Sequence, residues 1–283
     1  PPSVPVPNRA CPPFYRTMID LHTHILWDWD DGPDDRAQSL QMARIAQKDG
    51  IRALAATPHL FRLTRHGNDL KLLRERMLEF KHEVSRLDIE VHWGAEVYVH
   101  PEIVRTVEKY RFTIDQTSYV FIELPAELVP AGVEHMIAGL MNKGFVPIIS
   151  HPERNAGFQE QPYLLYHLVE AGCAAQVTAG SLTGEFGREV RHTARFFLEH
   201  NLVHFIASDA HGVLNRRPVL SEAVEAATKI VGEEKARAMV EDVPRAVLEN
   251  RALPDYGEPQ NPSHRKTWTR RLFGRTGFGS GSD

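Results

Sequence analysis

The feature that most constrains this chain is an alternation of short apolar runs with amphipathic stretches, in which nearly every apolar run ends on a histidine or a carboxylate. Residues 18–21 run into His22, residues 51–56 into Thr57-Pro58-His59, and residues 89–93 into Gly94-Ala95-Glu96. Residues 119–122 end at Glu123, 145–149 at Ser150-His151, and 202–207 at Ser208-Asp209-Ala210-His211, with a further apolar run at 174–177. Between them the period changes. Over residues 34–48, Ala37, Leu40, Ala43 and Ala46 recur at helical spacing, Pro33 precedes the run and Gly50 follows it, which predicts a helix with its stop signal. Helices are likewise expected over 70–87, 133–142, 163–171 and 189–200, and then to about Asn250.

Strands that read as continuous apolar runs, each followed by a helix, are parallel strands covered on their faces. This many in series predicts a closed or nearly closed α/β barrel. An open doubly wound sheet is the alternative, but no glycine-rich dinucleotide fingerprint follows the first strand and no P-loop occurs anywhere in the chain. Residues 1–17, rich in proline, are expected to form a disordered arm; residues 18–250 form the domain, and residues 251–283 a flexible basic tail.

Composition narrows the function classes. The 283 residues carry a formal net charge of -4, which offers no global attraction to nucleic acid or an anionic membrane, so an anionic substrate needs local charge or metal. Cys11 and Cys173 stand far apart, which argues against a disulfide framework and a thiolate metal site and fits a reducing cytoplasm. No apolar stretch has the length of a membrane span, and the opening residues lack the apolar run of a signal peptide. Neither cysteine begins a C-x5-R loop, so cysteine-based phosphatase chemistry is not expected.

The unusual number is 15 histidines. Those at strand ends are His22, His24, His59, His151 and His211, and the carboxylates beside them are Asp31, Glu96, Glu123 and Asp209. In a parallel barrel the C-terminal strand ends converge on one face, so these residues become neighbours. The spacing of two in His22-Thr23-His24 and in Asp209-Ala210-His211 puts both side chains on one side of an extended backbone. A set of nitrogen and carboxylate donors without sulfur suits zinc, manganese or iron. Any one of these residues alone is more often a satisfied polar group, and it is their conjunction that points to metal.

The segments MIDLHTHILWDWDDGPDD, ATPH, GAE, FIELP, ISHPERN and HFIASDAHG, taken together, resemble the PHP (polymerase and histidinol phosphatase) domain. More narrowly they resemble the bacterial CpsB/YwqE-type protein-tyrosine phosphatases of capsule and exopolysaccharide synthesis. The resemblance runs from Met18 to about Asn250. It implies a distorted (β/α)7 TIM-like barrel, the PHP fold, holding about three divalent ions, manganese foremost, with iron, zinc or magnesium as alternatives. It implies one ion among His22, His24, Glu96 and Asp209, a second among Glu96, Glu123 and His151, and a third among Asp31, His59 and His211. Arg154 and Arg216 are implied as phosphate clamps, with Arg217 adjacent to Arg216, and the nucleophile would be a hydroxide bridging two ions. Trp27 and Trp29 are bulkier than the resemblance implies; lining of the cleft and packing against the barrel rim are both open to them.

The activity implied is hydrolysis of phosphotyrosine in a protein, a tyrosine kinase of polysaccharide export. The alternatives are a small-molecule phosphatase of the histidinol phosphate type and a non-catalytic metal-binding regulatory PHP subunit. Basic and aromatic residues interleave over 264–275, which gives the tail a choice between weak contact with an anionic membrane surface and simple solvation.

Overall fold

The computed structural model describes residues 17–255 and 257–262. Residues 1–16 of the proline-rich arm expected over 1–17, with Cys11, and the basic stretch 264–275 lie outside the described residues. The strands are β1 (Met18–Thr23), β2 (Ile51–Ala56), β3 (His59–Leu60), β4 (Arg65–Asn68), β5 (Glu90–Trp93), β6 (Glu96–Tyr98), β7 (Tyr119–Glu123), β8 (Val146–Ile149), β9 (Ala174–Thr178) and β10 (Phe205–Ala207). The helices are α1 (Arg36–Asp49), α2 (Leu70–Glu83), α3 (Ile103–Tyr110), α4 (Val133–Asn142), α5 (Ala156–Glu160), α6 (Pro162–Glu170), α7 (Ala179–Thr183), α8 (Arg188–Glu199), α9 (Ser221–Val231), α10 (Glu233–Ala238) and α11 (Asp242–Leu248).

Local chemistry sets the boundaries. Helix α1 starts because the Asp35 carboxylate accepts the Gln38 N–H, and it stops because Gly50 adopts the left-handed conformation at φ 100°. The expected helix at 70–87 is shorter, ending at Glu83. Helix α3 has no counterpart in the sequence reading. Glu96, expected just beyond a strand end, opens β6.

Among the described residues, every strand pair within the two sheets is parallel. One sheet runs β1-β2-β5 and the other β10-β9-β8-β7-β6-β3. The two are continuous through kinks: β2 passes to β3 across Thr57-Pro58, and β5 to β6 across Gly94-Ala95, with the Gly94 N–H donating to the Ala56 carbonyl and the Glu96 N–H to the Pro58 carbonyl, both at 3.0 Å. At the far edges, β1 meets the end of β10 where the Asp209 N–H donates to the His22 carbonyl at 2.9 Å and the His24 N–H to the Ala210 carbonyl at 2.8 Å. The expected parallel α/β architecture is what forms, and the first and last strands come together.

Two apolar layers result. Ile19, Leu21, Ala53, Phe121, Ile148 and Phe205 pack among themselves inside the curve of the sheets, while the alternate residues of the strands, such as Leu54, Ile122 and Ile206, pack with the helices outside. The floor of the interior is aromatic: the Phe121 ring lies 6.1 Å from Phe205 and 4.6 Å from the His22 ring. The register of β1 against β2 shifts between Asp20 and Thr23, an irregularity of the kind that breaks strict alternation and re-aims a side chain. Residues 251–262, where described, run along the body: the Tyr119 hydroxyl donates to the Arg251 carbonyl at 2.6 Å, and the Gln260 N–H to the His200 carbonyl at 2.8 Å. No helix among the described residues is long and apolar enough to cross a membrane. Phe121→Ala is expected to open a void beneath His22 and cost about 3–5 kcal/mol of stability, read as a lower midpoint of urea unfolding.

Candidate metal centre

Strand ends, the loops after them and the kinks that lead into β3 and β6 gather all nine sequence-predicted donors on one face. His22 lies in β1 and His24 directly after it, Asp31 comes from the loop that follows, His59 from β3, Glu96 from β6 and Glu123 from β7. His151 follows β8, and Asp209 and His211 follow β10. The Nε2 atoms of His22 and His24 face each other at 3.1 Å. Glu96 is the hub: its Oε2 lies 3.4 Å from each of those Nε2 atoms and 3.0 Å from His59 Nδ1, and its Oε1 lies 3.1 Å from His151 Nε2.

Donor atoms within 4.8 Å of one another form three groups among the described residues: His22, His24 and Asp209; His59, Glu96 and Glu123; and His24, Asp31, His59 and His211. Asp31, His59 and His211 thus assemble as the resemblance implied, with His24 added. His59 also leans toward Glu96 and Glu123, and His151 reaches the centre through Glu96. Both Glu96 oxygens, Glu123 Oε2, His59 Nδ1 and His211 Nε2 are buried without a hydrogen-bond partner. Buried polar atoms left unpaired cost free energy unless something satisfies them, and a cluster of nitrogen and carboxylate donors fits divalent cations. The residues present therefore suit the group.

The outward nitrogens of the two β1 histidines are already engaged, which fixes their rings. His22 Nδ1 donates to Gln176 Oε1 at 3.2 Å, and His24 Nδ1 to Asp30 Oδ2 at 2.8 Å. A carboxylate or carbonyl behind a histidine in this way aims its other nitrogen at a metal. Asp30 does more: its carboxylate also accepts the N–H groups of His59 and Gly32, each at 3.0 Å. Gly32 has no room for a side chain, since a Cβ there would stand 2.2 Å from the His24 carbonyl oxygen. Asp30 and Gln176 carry no local sequence signal of this role. The run Asp30-Asp31 offers two adjacent carboxylates, and only the fold shows which one faces the histidines' backs.

Electrostatics follows from this crowding. Burial opposes ionisation of Glu96, yet the charges of His22 and His59 hold its carboxyl well below the usual range. Burial and the neighbouring Glu96 push Glu123 up to about 7. Burial, then the positive field of His24, brings His211 down to about 4. Asp209 is held well below the ordinary value against its burial, by Arg216 and Arg154.

Asp209 divides its carboxylate. Oδ1 lies 3.7 Å from His22 Nε2 and 3.5 Å from His24 Nε2, while Oδ2 accepts from Arg154 and, at 2.6 Å, from Arg216. The expected clamp residues therefore both reach the centre, and it is Arg216 rather than Arg217 that turns inward. His151, Asp209 and Arg216 all hold left-handed backbones, with φ of 32°, 51° and 47°. Strain of this kind costs about 1–3 kcal/mol per residue and collects at functional sites. It also corrects the expectation for Asp209 and His211, whose common orientation comes from a left-handed turn and not from strand alternation.

A cavity of about 230 Å³ opens over the centre, lined by Asp31, His59, Arg62, Glu123, Arg154 and Arg216 among others. Arg62 is a third guanidinium, unforeseen in the sequence, donating to Glu123 Oε1 at 3.1 Å. Trp27 and Trp29 do not line this cavity. Trp29 is fully buried and donates from Nε1 to the His59 carbonyl at 3.0 Å, and Trp27 is covered by Arg36 and Arg76. Of the two roles left open for them, packing is the one realised.

A parallel α/β body with histidines and carboxylates gathered at its C-terminal strand ends, under arginines, defines a metal-dependent hydrolase type of site. Comparison with known proteins gives the family: residues 18–249 match the model for capsular polysaccharide synthesis proteins CpsB/CapC, and the chain belongs to that family. It is 38% identical over 260 residues to the tyrosine-protein phosphatase YwqE of Bacillus subtilis, covering 91% of this chain and 99% of that protein. It is 33% identical over 208 residues to the putative tyrosine-protein phosphatase CapC of Staphylococcus aureus, covering 72% and 81%. A crystal structure from a study of B. subtilis YwqE and Streptococcus pneumoniae CpsB, described as unique metal-dependent tyrosine phosphatases, superposes with a TM-score of 0.81 at 37% identity, over 86% of this chain and 99% of that one. Asp30→Asn should weaken divalent-metal affinity by about 10–100-fold, measured by calorimetric titration of manganese, with the fold retained by circular dichroism.

Proposed function

We propose that this chain is a metal-dependent protein-tyrosine phosphatase acting on a tyrosine-phosphorylated protein of polysaccharide synthesis, a polysaccharide-export tyrosine kinase being the partner expected. The observation that carries this reading is the gathering of the nine donors under one cavity, which six of them line together with three arginines, in a chain related along nearly its whole length to proteins of that activity. The phosphatase unit is residues 18–250, and a cytoplasmic location, expected from the sparse cysteines, belongs to the same reading. With β2–β3 and β5–β6 each counted as one kinked strand, and β4 outside both sheets, the parallel positions from β10 round to β1 number seven, as in a distorted (β/α)7 barrel.

About three divalent ions, manganese foremost, would be held by His22, His24 and Asp209, by Glu96, Glu123 and His151, and by Asp31, His59 and His211, with Glu96 shared between the first two sets. Such ions supply neutralisation of the phosphate dianion and a water acidic enough to act as nucleophile at neutral pH. The protein's own contribution is orientation. Arg154 and Arg216 are drawn to one side of the cavity by Asp209 Oδ2, where their forks match the nonbridging oxygens of a phosphate. Arg62 stands on the Glu123 side and can meet the same group from across the cavity. A tyrosine leaving group, with a pKa of about 10, departs with little help from a general acid.

The deciding assay compares a phosphotyrosine peptide with histidinol phosphate on manganese-loaded protein. Preference for the peptide, abolished in His151→Ala, is expected; an inactive wild type, or preference for histidinol phosphate, sinks the reading. Arg216→Ala should lower kcat/KM by about 10²-fold, whereas Arg217→Ala should change it less than about twofold. Metal binding should also depend on pH in a defined direction. Glu123, pushed up to about 7, must lose its proton to become a ligand, so the affinity for manganese should fall by up to about tenfold per pH unit as the pH drops below about 7, as titrations between pH 5.5 and 8 would measure.

A further inference from the structure

The segment from Thr178 to Gly187 forms the end of β9, helix α7 and the connection to α8, and supplies none of the nine donors or the clamp arginines. It is nonetheless tied to both clamp arginines. The Arg154 guanidinium carbon lies 4.5 Å from the centre of the Phe186 ring, and that of Arg216 lies 5.9 Å from the same centre. Beside the ring, Glu185 Oε1 accepts the Arg216 N–H at 2.7 Å, at a residue whose backbone is left-handed. At the other end, buried Glu153, next to Arg154, accepts from the Thr178 N–H at 2.9 Å and the Ser181 hydroxyl at 2.6 Å. The chain is drawn tight at Gly180, where a Cβ would stand 2.5 Å from Glu185 Oε2 and 2.9 Å from Phe186 Cε2.

Two guanidinium groups brought to one carboxylate oxygen repel each other, and Asp209 has a single charge with which to compensate them. The face of an aromatic ring carries partial negative charge and attracts cations placed over it. We propose that Phe186 is a positioning residue of the phosphate clamp, its ring serving as a common platform that holds Arg154 and Arg216 side by side and aimed at the substrate phosphate. The inference rests on the phosphatase reading for its substrate and on the ring geometry for itself. Phe186 is not among the residues lining the cavity, so its effect passes through the arginines.

The test is the affinity of manganese-loaded protein for orthophosphate, by calorimetry and as competitive inhibition, in Phe186→Leu and Phe186→Tyr. Leucine keeps apolar bulk and removes the ring; tyrosine keeps the ring. Phe186→Leu is expected to weaken orthophosphate binding and raise KM for a phosphotyrosine peptide by about tenfold, with kcat and bound metal little changed, while Phe186→Tyr stays within about threefold of wild type. In an Arg154→Ala/Arg216→Ala background, Phe186→Leu should have no further effect on orthophosphate binding. Wild-type affinity in Phe186→Leu, or an equal loss in the arginine-free background, overturns the proposal, as does a wild type that binds no orthophosphate. A wild type that binds orthophosphate through Phe186 yet spares phosphotyrosine peptides removes the phosphatase reading and leaves the platform standing.

Discussion

The burial of Glu96 among four histidines is the constraint on which the rest of this structure depends. A carboxylate with no exposure, touching His22, His24, His59 and His151, can exist only where positive charge surrounds it. The strands that deliver those histidines must therefore end at the same level. The kinks at Thr57-Pro58 and Gly94-Ala95 do this for His59 and Glu96, which pair directly across β3 and β6. The β1 irregularity and the left-handed turns at His151 and Asp209 do it for the others. The aromatic floor of Phe121 and Phe205 closes the centre from below and keeps its dielectric low, so the charge arrangement matters more than it would at a surface.

Around that centre the supporting shell is built from groups with two tasks each. The Asp30 carboxylate fixes the His24 ring and the backbone of His59, Gln176 Oε1 receives both the His22 ring and the His151 N–H, and Asp209 turns one oxygen to the histidines and the other to the arginines. Sharing of this kind couples the metal-ligating side of the cavity to its phosphate-binding side. A movement of Asp209 toward one is a movement away from the other. The Phe186 ring stands on the arginine side of that balance.

Much of this was legible in the sequence because its signals are local. The apolar runs and the helical period placed β1, β2, α4 and α6 to within a residue or two, and each donor could be named because it follows such a run. What was not legible has physical reasons. Helix α3 is short, and its pattern is too brief to separate from a loop. Strand β3 is two residues long and was read as the end of β2, since a kink after proline leaves no periodic trace. Asp30 and Asp31 are chemically equal in the sequence, and their division into support and candidate ligand comes from the turn at Gly32.

The sequence by itself therefore determined the alternating parallel architecture and the donor chemistry, because both depend on residue type and on spacing along the chain. The tertiary structure decided which groups those donors face. It turned Arg216 inward and left Arg217 aside, buried Trp29 beneath His59 in place of exposing it to substrate, brought Arg62 to the mouth, and set one phenylalanine under two arginines. These choices are made by contacts between residues distant in the chain, and side-chain direction at such contacts is fixed only when the elements have packed.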